Sequence, residues 1–376
     1  MMANFTPFHT NLSRYRHRDR EQNLDSETLL KQTHQTHWMN TLCNLTRPKL
    51  APTISRHITN ISIKTSNPKA LAKRTMATTS PPPKKLRILM LHGYTQSGPL
   101  FHAKTKALEK SLAKAFPPAP SPGHLATHPG GIELAYPTAP IKLDPTDIPG
   151  FDGANASESG GSVEAYGWWR RKGDAEPFTY EGIERGLETI AATLGGAEGP
   201  FDGVIGFSQG GAAAGMVASL LEEGRREAFE TAQSKGGIRY PDSFTRDSGY
   251  IEERVQGPLK FAVSYSGFAA STNPLYQGFY EPGIKTPMMH FLGSLDTVVS
   301  EERSLRLVEA CVGGEGTEGG VRRVVYHPGG HFLPSSQKQY VAALVAFIRE
   351  VMSEEAAAAG PGKEKEERVE DMELPF

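Results

Sequence analysis

The sequence predicts an α/β fold: a mostly parallel, doubly wound sheet with helices on both faces. Three observations carry this. Short apolar runs rich in β-branched residues alternate with segments whose apolar residues recur at helical spacing. The first strong run, Leu-Arg-Ile-Leu-Met-Leu at 86–91, reads as a strand buried on both sides. A single-core open sheet commonly needs about 200–250 residues, so a chain of 376 carries tails or insertions as well.

The elements follow in order. A Pro-rich linker at 81–83 leads into the strand at 86–91. A helix is expected over 100–115 and a short strand over 132–136. Helical spacing of Ile183, Leu187 and Ile190 predicts a second helix over 180–194. A strand at 201–206 and a helix at 209–223 come next. Three further strands are expected at 259–266, 288–292 and 321–326, with helices at 301–311 and 337–352 completing the set. No internal repeat is visible. Two stretches break the alternation. Residues 137–178 are rich in Gly, Pro, Ser and Asp and contain Tyr166-Gly-Trp-Trp-Arg170; they sit where a substrate cap would lie. Residues 225–256 are polar and interrupt a helix-to-strand connection, as a surface insertion would.

The domain is thus expected over 85–352, between a basic segment at 1–80 and an acidic tail at 353–376. From Thr28 to Thr75 there are eight Lys or Arg and no acidic residue. That is the composition of a mitochondrial presequence, or equally of an unstructured extension. Asp19, Glu21, Asp25 and Glu27, the lack of an amphipathic pattern after Met1 and a second methionine at Met76 favour the extension. From Ser353 onward eight acids face three basic residues around Gly360-Pro361-Gly362, the pattern of a solvated, disordered tail. The formal net charge of -1 gives no global reason to expect nucleic acid or a membrane surface as partner. No run approaches the ~18 apolar residues that a membrane helix needs. Cys43 and Cys311 are the two cysteines and have no metal-ligand spacing, which fits a reducing compartment. A soluble cytoplasmic protein, or one also nuclear, is expected; a mitochondrial one if the basic segment is a presequence.

Gly206-Phe-Ser-Gln-Gly210 matches G-x-S-x-G. Such a pentapeptide arises by chance in roughly one chain in ten of this size, so its context matters. The apolar run Phe201 to Ile205 leads into it and Gly211-Ala-Ala-Ala-Gly215 opens a helix after it. A sharp strand-to-helix turn strains the nucleophile's backbone and demands small residues two before and two after. Tight packing or phosphate binding is the bland alternative, but no Walker lysine or G-x-G-x-x-G is present. A serine nucleophile needs a base, and the base an orienting carboxylate. Asp296 follows the strand at 288–292, at the edge where ligand-binding groups of open sheets gather; capping the next helix is its other reading. Asp202, Asp242 and Glu301 fit this place less well. His331 follows Gly329-Gly330 in the loop after the last strand, with His327 at the strand end as its rival. The backbone N–H of Gln209 and of Tyr94, in the loop opened by His92-Gly93, are the expected oxyanion donors. Trp168, Trp169, Phe178 and Tyr180 either line an acyl pocket or anchor their segment to the core.

Leu91-His-Gly93, the run Gly-Pro-Phe-Asp-Gly-Val-Ile-Gly-Phe-Ser-Gln-Gly at 199–210, Gly293-Ser-Leu-Asp296 and Gly330-His331 together resemble the FSH-type eukaryotic serine hydrolases. The resemblance covers about 85–351 and neither tail. It implies a compact α/β-hydrolase with Ser208, Asp296 and His331 as the triad, acting on esters or thioesters. Some members release polyketide acyl chains from carrier proteins in secondary metabolism. The acyl-protein thioesterases share Gly-Phe-Ser-Gln-Gly and Leu-His-Gly and stay as the neighbouring alternative. An acyltransferase would use the same acyl-enzyme; a binding protein with its chemistry lost would lack triad members. A dinucleotide oxidoreductase fits least, because the first strand leads to His92-Gly93. The expected partner is a small ester or thioester, or a carrier-bound acyl chain, with no metal or organic cofactor.

Overall fold

Strand residues at 86–91 point alternately to two helical layers, and this alternation builds the fold. In the computed structural model Leu86, Ile88 and Met90 pack into one apolar cluster, while Leu89 and Leu91 pack into another. The structure describes residues 82–148, 164–196, 199–247, 252–312 and 323–358, all within one compact unit. The basic segment expected at 1–80 and most of the acidic tail lie outside the described residues.

Six strands form the central sheet: β1 (Leu86–Leu91), β2 (Ile132–Ala135), β3 (Gly203–Phe207), β4 (Phe261–Tyr265), β5 (Met288–Gly293) and β6 (Arg323–His327). Their order is β2-β1-β3-β4-β5-β6 and every pairing is parallel. Parallel sheets need cover on both faces. On one face lie α1 (Gly98–Ala115) and α6 (Lys338–Ala358), with Phe101, Leu108, Leu112, Leu344, Phe347 and Ile348 meeting β1, β3, β4 and β5. On the other lie α2 (Ile183–Leu194), α3 (Gln209–Leu220) and α5 (Glu301–Glu309), through Leu187, Val217 and Leu307 among others. Every residue of α3 is buried. Its run of small residues lets it lie close against the sheet.

The strand order reverses between β1 and β3, since the chain turns one way to β2 and the other way from β3 onward. Such a switch point opens a crevice at the carboxyl ends of the strands. Leu91 is the register partner of Gly206, so the loops after β1 and β3 leave the sheet side by side.

The described part of 225–256 forms α4 (Arg225–Gln233), a short helical turn and a small antiparallel strand pair, and part of it is enclosed. Phe229 and Phe244 are fully enclosed, and Arg225 is only 2% exposed. Arg225 is held there by Glu222 at 2.7 Å and the carbonyl of Pro282 at 2.6 Å. Glu222 in turn accepts the backbone N–H of Lys285 and of Thr286, each at 2.7 Å. A buried charge survives where it is paired and hydrogen-bonded. The described part of 137–178 adds two small hairpins, pairing Ile141–Lys142 with Tyr166–Gly167 and Arg170–Lys172 with Thr179–Glu181. Among the described residues no helix is long and apolar enough to cross a membrane.

Candidate active site

Ser208 occupies a turn that only a few residue types tolerate. Its φ of 54° and ψ of -117° lie in the region that disfavours a side chain, a strain of about 1–3 kcal/mol. The two glycines around it are sterically required. A Cβ on Gly206 would overlap the carbonyl of Gly210, and one on Gly210 would overlap the carbonyls of Leu91 and His92. The Ser208 backbone N–H donates to the carbonyl of Tyr265 on β4, which holds the elbow to the neighbouring strand.

His331 and Asp296 arrive from the last two strands. The loop after β5 and the loop after β6 are stitched together, with Ser294 N–H donating to the carbonyl of His327 and Leu295 N–H to that of Gly329. His331 Nε2 lies 2.9 Å from Ser208 Oγ, and Nδ1 lies 2.7 Å from Asp296 Oδ2. The second Asp296 oxygen, Oδ1, accepts the N–H of Val298 and of Val299, both at 2.9 Å. Burial pushes the Asp296 carboxyl up, but the His331 hydrogen bond, the His331 charge and these backbone donors outweigh it and hold it below the usual carboxylate range. The His331 ring also packs on Phe207, with centroids 5.0 Å apart.

The rival histidine sits elsewhere. His327 is 1% exposed, packs edge-on against Phe332 and Tyr340, and neither ring nitrogen has a hydrogen-bond partner. Burial lowers its pKa, against the smaller opposing pull of the Asp296 charge. Asp202 lies at the other end of its strand, bonded to His128 at 3.1 Å.

The loop after β1 reaches Ser208 through Gly93, where a Cβ would come within 3.3 Å of the Ser208 Cβ. Its conformation depends on His92. The N–H of Ala139 donates to His92 Nε2 at 3.0 Å, so the proton rides on Nδ1, which donates to the carbonyl of Gly93 at 2.8 Å. Gln96 N–H donates to the same carbonyl at 3.2 Å. That carbonyl belongs to the peptide whose N–H is that of Tyr94. The imidazole is fully buried, and desolvation brings its pKa down to about 4. Between about pH 6.5 and 4 the unfolded chain therefore takes up a proton that the folded one refuses. The stability this costs, about 3 kcal/mol in full, is absent above pH 6.5 and develops as pH falls toward 4. Thermal unfolding from pH 8 to 4.5 is expected to show a shallower acid loss of Tm in His92→Asn than in wild type; equal slopes would exclude His92 as the source.

Trp168 and Trp169 do not present an open acyl-binding face. They are 0% and 2% exposed, Trp168 packs at 5.1 Å on His92 and Trp169 stacks at 5.0 Å on Tyr180. The Trp168 indole N–H donates to the carbonyl of His92 at 2.9 Å. Their burial fits the reading in which both anchor their segment to the core. The exposed apolar side chains nearest the site in sequence are Leu295 and Val298, which flank Asp296, and Phe332, which follows His331. No periodicity marks them; their only signal is apolar character in loops at the carboxyl edge of the sheet. Among the described residues no cluster of His, Cys, Asp or Glu is placed to hold a metal ion.

The profile of the family described as Serine hydrolase (FSH1) matches residues 79–343. The chain belongs to this family. It is a serine hydrolase. Among relatives of this FSH1-family chain, Family of serine hydrolases 3 of Saccharomyces cerevisiae is 32% identical over 72% of this chain and 86% of its own length. Esterase OVCA2 of Danio rerio is 30% identical over 67% of this chain and 91% of its own. Among solved structures, acyl-protein thioesterase 2 of Zea mays superposes with a TM-score of 0.41 at 17% identity, over 71% of this chain and 95% of that one.

Proposed function

We propose that this chain hydrolyses a carboxylic ester or thioester through an acyl-enzyme on Ser208. One observation carries the reading: the unbroken hydrogen-bond series from Ser208 Oγ through His331 to Asp296. His331 Nε2 takes the hydroxyl proton as Ser208 Oγ attacks the carbonyl carbon. Asp296 holds Nδ1–H in place and stabilises the imidazolium that forms. The N–H groups of Tyr94 and Gln209 receive the oxyanion. His331 then protonates the departing alcohol or thiol. Water, deprotonated by the same ring, releases the acid and restores Ser208.

The exposed Leu295, Val298 and Phe332, each within two residues of Asp296 or His331 in the chain, support an apolar acyl or alcohol portion in the substrate. A carrier-bound acyl chain released in secondary metabolism belongs to the same reading as its finer form, and a cytoplasmic setting goes with it. Added alcohol or thiol tests the acyltransferase alternative: a hydrolase releases mainly free acid, an acyltransferase mainly the acylated acceptor.

Fluorophosphonate labelling with peptide mapping tests the site. A single adduct on Ser208 is expected in wild type and none in Ser208→Ala. An adduct on another residue, or a folded wild type that stays unlabelled, would reject the assignment.

A further inference from the structure

The two N–H groups assigned to the oxyanion follow different strands, and one inserted tryptophan hydrogen-bonds both to the Gln209 side chain and to the His92 carbonyl. Gln209 follows the nucleophile, and its side chain is buried, 5% exposed as a residue. Its Oε1 accepts the backbone N–H of Trp168 at 2.8 Å and its Nε2 donates to the carbonyl of Trp169 at 2.8 Å. The amide is thus read at both ends, as acceptor and as donor, and glutamine supplies both whatever the pH. From the same Trp168, the indole N–H reaches the carbonyl of His92. His92 in turn fixes the Gly93 carbonyl, and with it the plane of the peptide that carries the Tyr94 N–H.

Two further contacts tie the segment down. Thr95 N–H donates to the carbonyl of Tyr166 at 2.9 Å, and Tyr166 N–H to that of Gln96 at 3.1 Å. A Cβ on Gly186 of α2 would overlap the Trp168 carbonyl, so the helix wedges the segment from behind.

We propose that Trp168, gripped by the Gln209 side chain on one side and bonded to His92 on the other, sets the spacing of the two oxyanion N–H groups. Gln209 (through its side chain), Trp168 and His92 are positioning residues; none of these side chains touches the reacting atoms. The inference rests on the reading of Ser208 as nucleophile with Tyr94 and Gln209 N–H as donors. Its physical basis is that a preorganised donor pair stabilises charge only when both point at one spot.

Full-length Gln209→Leu keeps the backbone N–H and removes the grip. It is expected to lower kcat about 10²-fold, the cost of misplacing a catalytic group by about 1 Å. KM should stay within about twofold, since a transition-state contact is lost and uniform binding is not. A trifluoromethyl ketone, which forms a tetrahedral adduct on the serine, should lose affinity by the same factor as kcat/KM. Gln209→Glu adds a signature that a structural defect lacks. Its neutral acid donates to the Trp169 carbonyl and accepts from Trp168 N–H as the amide does; its carboxylate cannot donate. Burial raises such a carboxyl, so the activity ratio of Gln209→Glu to wild type should fall as pH rises between about 6 and 9. Taking the ratio to wild type cancels the pH dependence that both enzymes have in common.

A folded Gln209→Leu with kcat within twofold of wild type overturns the proposal, as does a kcat loss without a parallel loss of ketone affinity. If Gln209→Leu fails to fold, the Gln209→Glu ratio decides, and a ratio flat across pH overturns it. Trp168→Phe, which keeps a ring and drops the indole N–H, should lose about tenfold in kcat with KM held. Wild type labelled at Ser208 beside normal clamp variants rejects the clamp alone. Wild type unlabelled at Ser208 rejects the proposed function, and the clamp with it.

Discussion

Ser208→Ala is expected to lower kcat by about 10⁵–10⁶-fold against an activated ester, with KM close to wild type. The size follows from what remains. Without Oγ no acyl-enzyme forms, and His331 has only water to activate. The oxyanion donors and the binding surface still act, so turnover should stay above the uncatalysed rate by about 10³-fold. The substitution removes one oxygen from a residue that is 8% exposed. It leaves a φ of 54° that alanine tolerates no better than serine. Tm should therefore move by a few degrees at most. A purified variant retaining above about one per cent of wild-type kcat would mean that Oγ is not the attacking atom.

The parts of this site that sequence reveals are those whose constraints are local. Gly206 and Gly210 are required by atoms within the turn and by the adjoining β1 carbonyls, so the pentapeptide with a strand before and a helix after is enough to read the elbow. Asp296 and His331 are legible because parallel topology sends late strands' carboxyl ends to one edge. The Trp168 clamp has no such mark. Gln209 and Trp168 stand 41 positions apart, and a glutamine after the serine of a G-x-S-x-G turn carries no pattern announcing that its amide is consumed by a distant backbone. Composition misleads at 225–256 for a related reason. Arg225 and Glu222 read as surface charges. Their burial depends on the carbonyl of Pro282 and the N–H groups of Lys285 and Thr286, contacts 57 to 64 positions away. The one enclosed aromatic of α4, Phe229, meets Tyr240 and Phe279 edge-on, and with only Ala228 and Ala232 as its further apolar residues the helix shows little helical period.

Asp296→Asn should be the next most damaging change, lowering kcat about 10⁴-fold with KM little altered. The reason lies in which face of the carboxylate is already committed. Oδ1 accepts two backbone N–H groups, from Val298 and Val299. An asparagine must keep its carbonyl oxygen there, because turning its NH₂ toward two donors would leave all of them unpaired. The NH₂ then faces His331 and requires Nδ1 to be an acceptor. The ring's proton moves to Nε2, the nitrogen 2.9 Å from Ser208 Oγ. That nitrogen donates to the hydroxyl where it should accept from it, and the nucleophile loses its base. The side chain keeps its shape and its two backbone bonds, so Tm should change by a few degrees only. Fluorophosphonate labelling of Ser208 should slow by a similar factor while still running to completion. A variant that keeps more than a tenth of wild-type kcat would leave Asp296 as a cap for the Val298–Val299 turn and assign the orientation of His331 to another group.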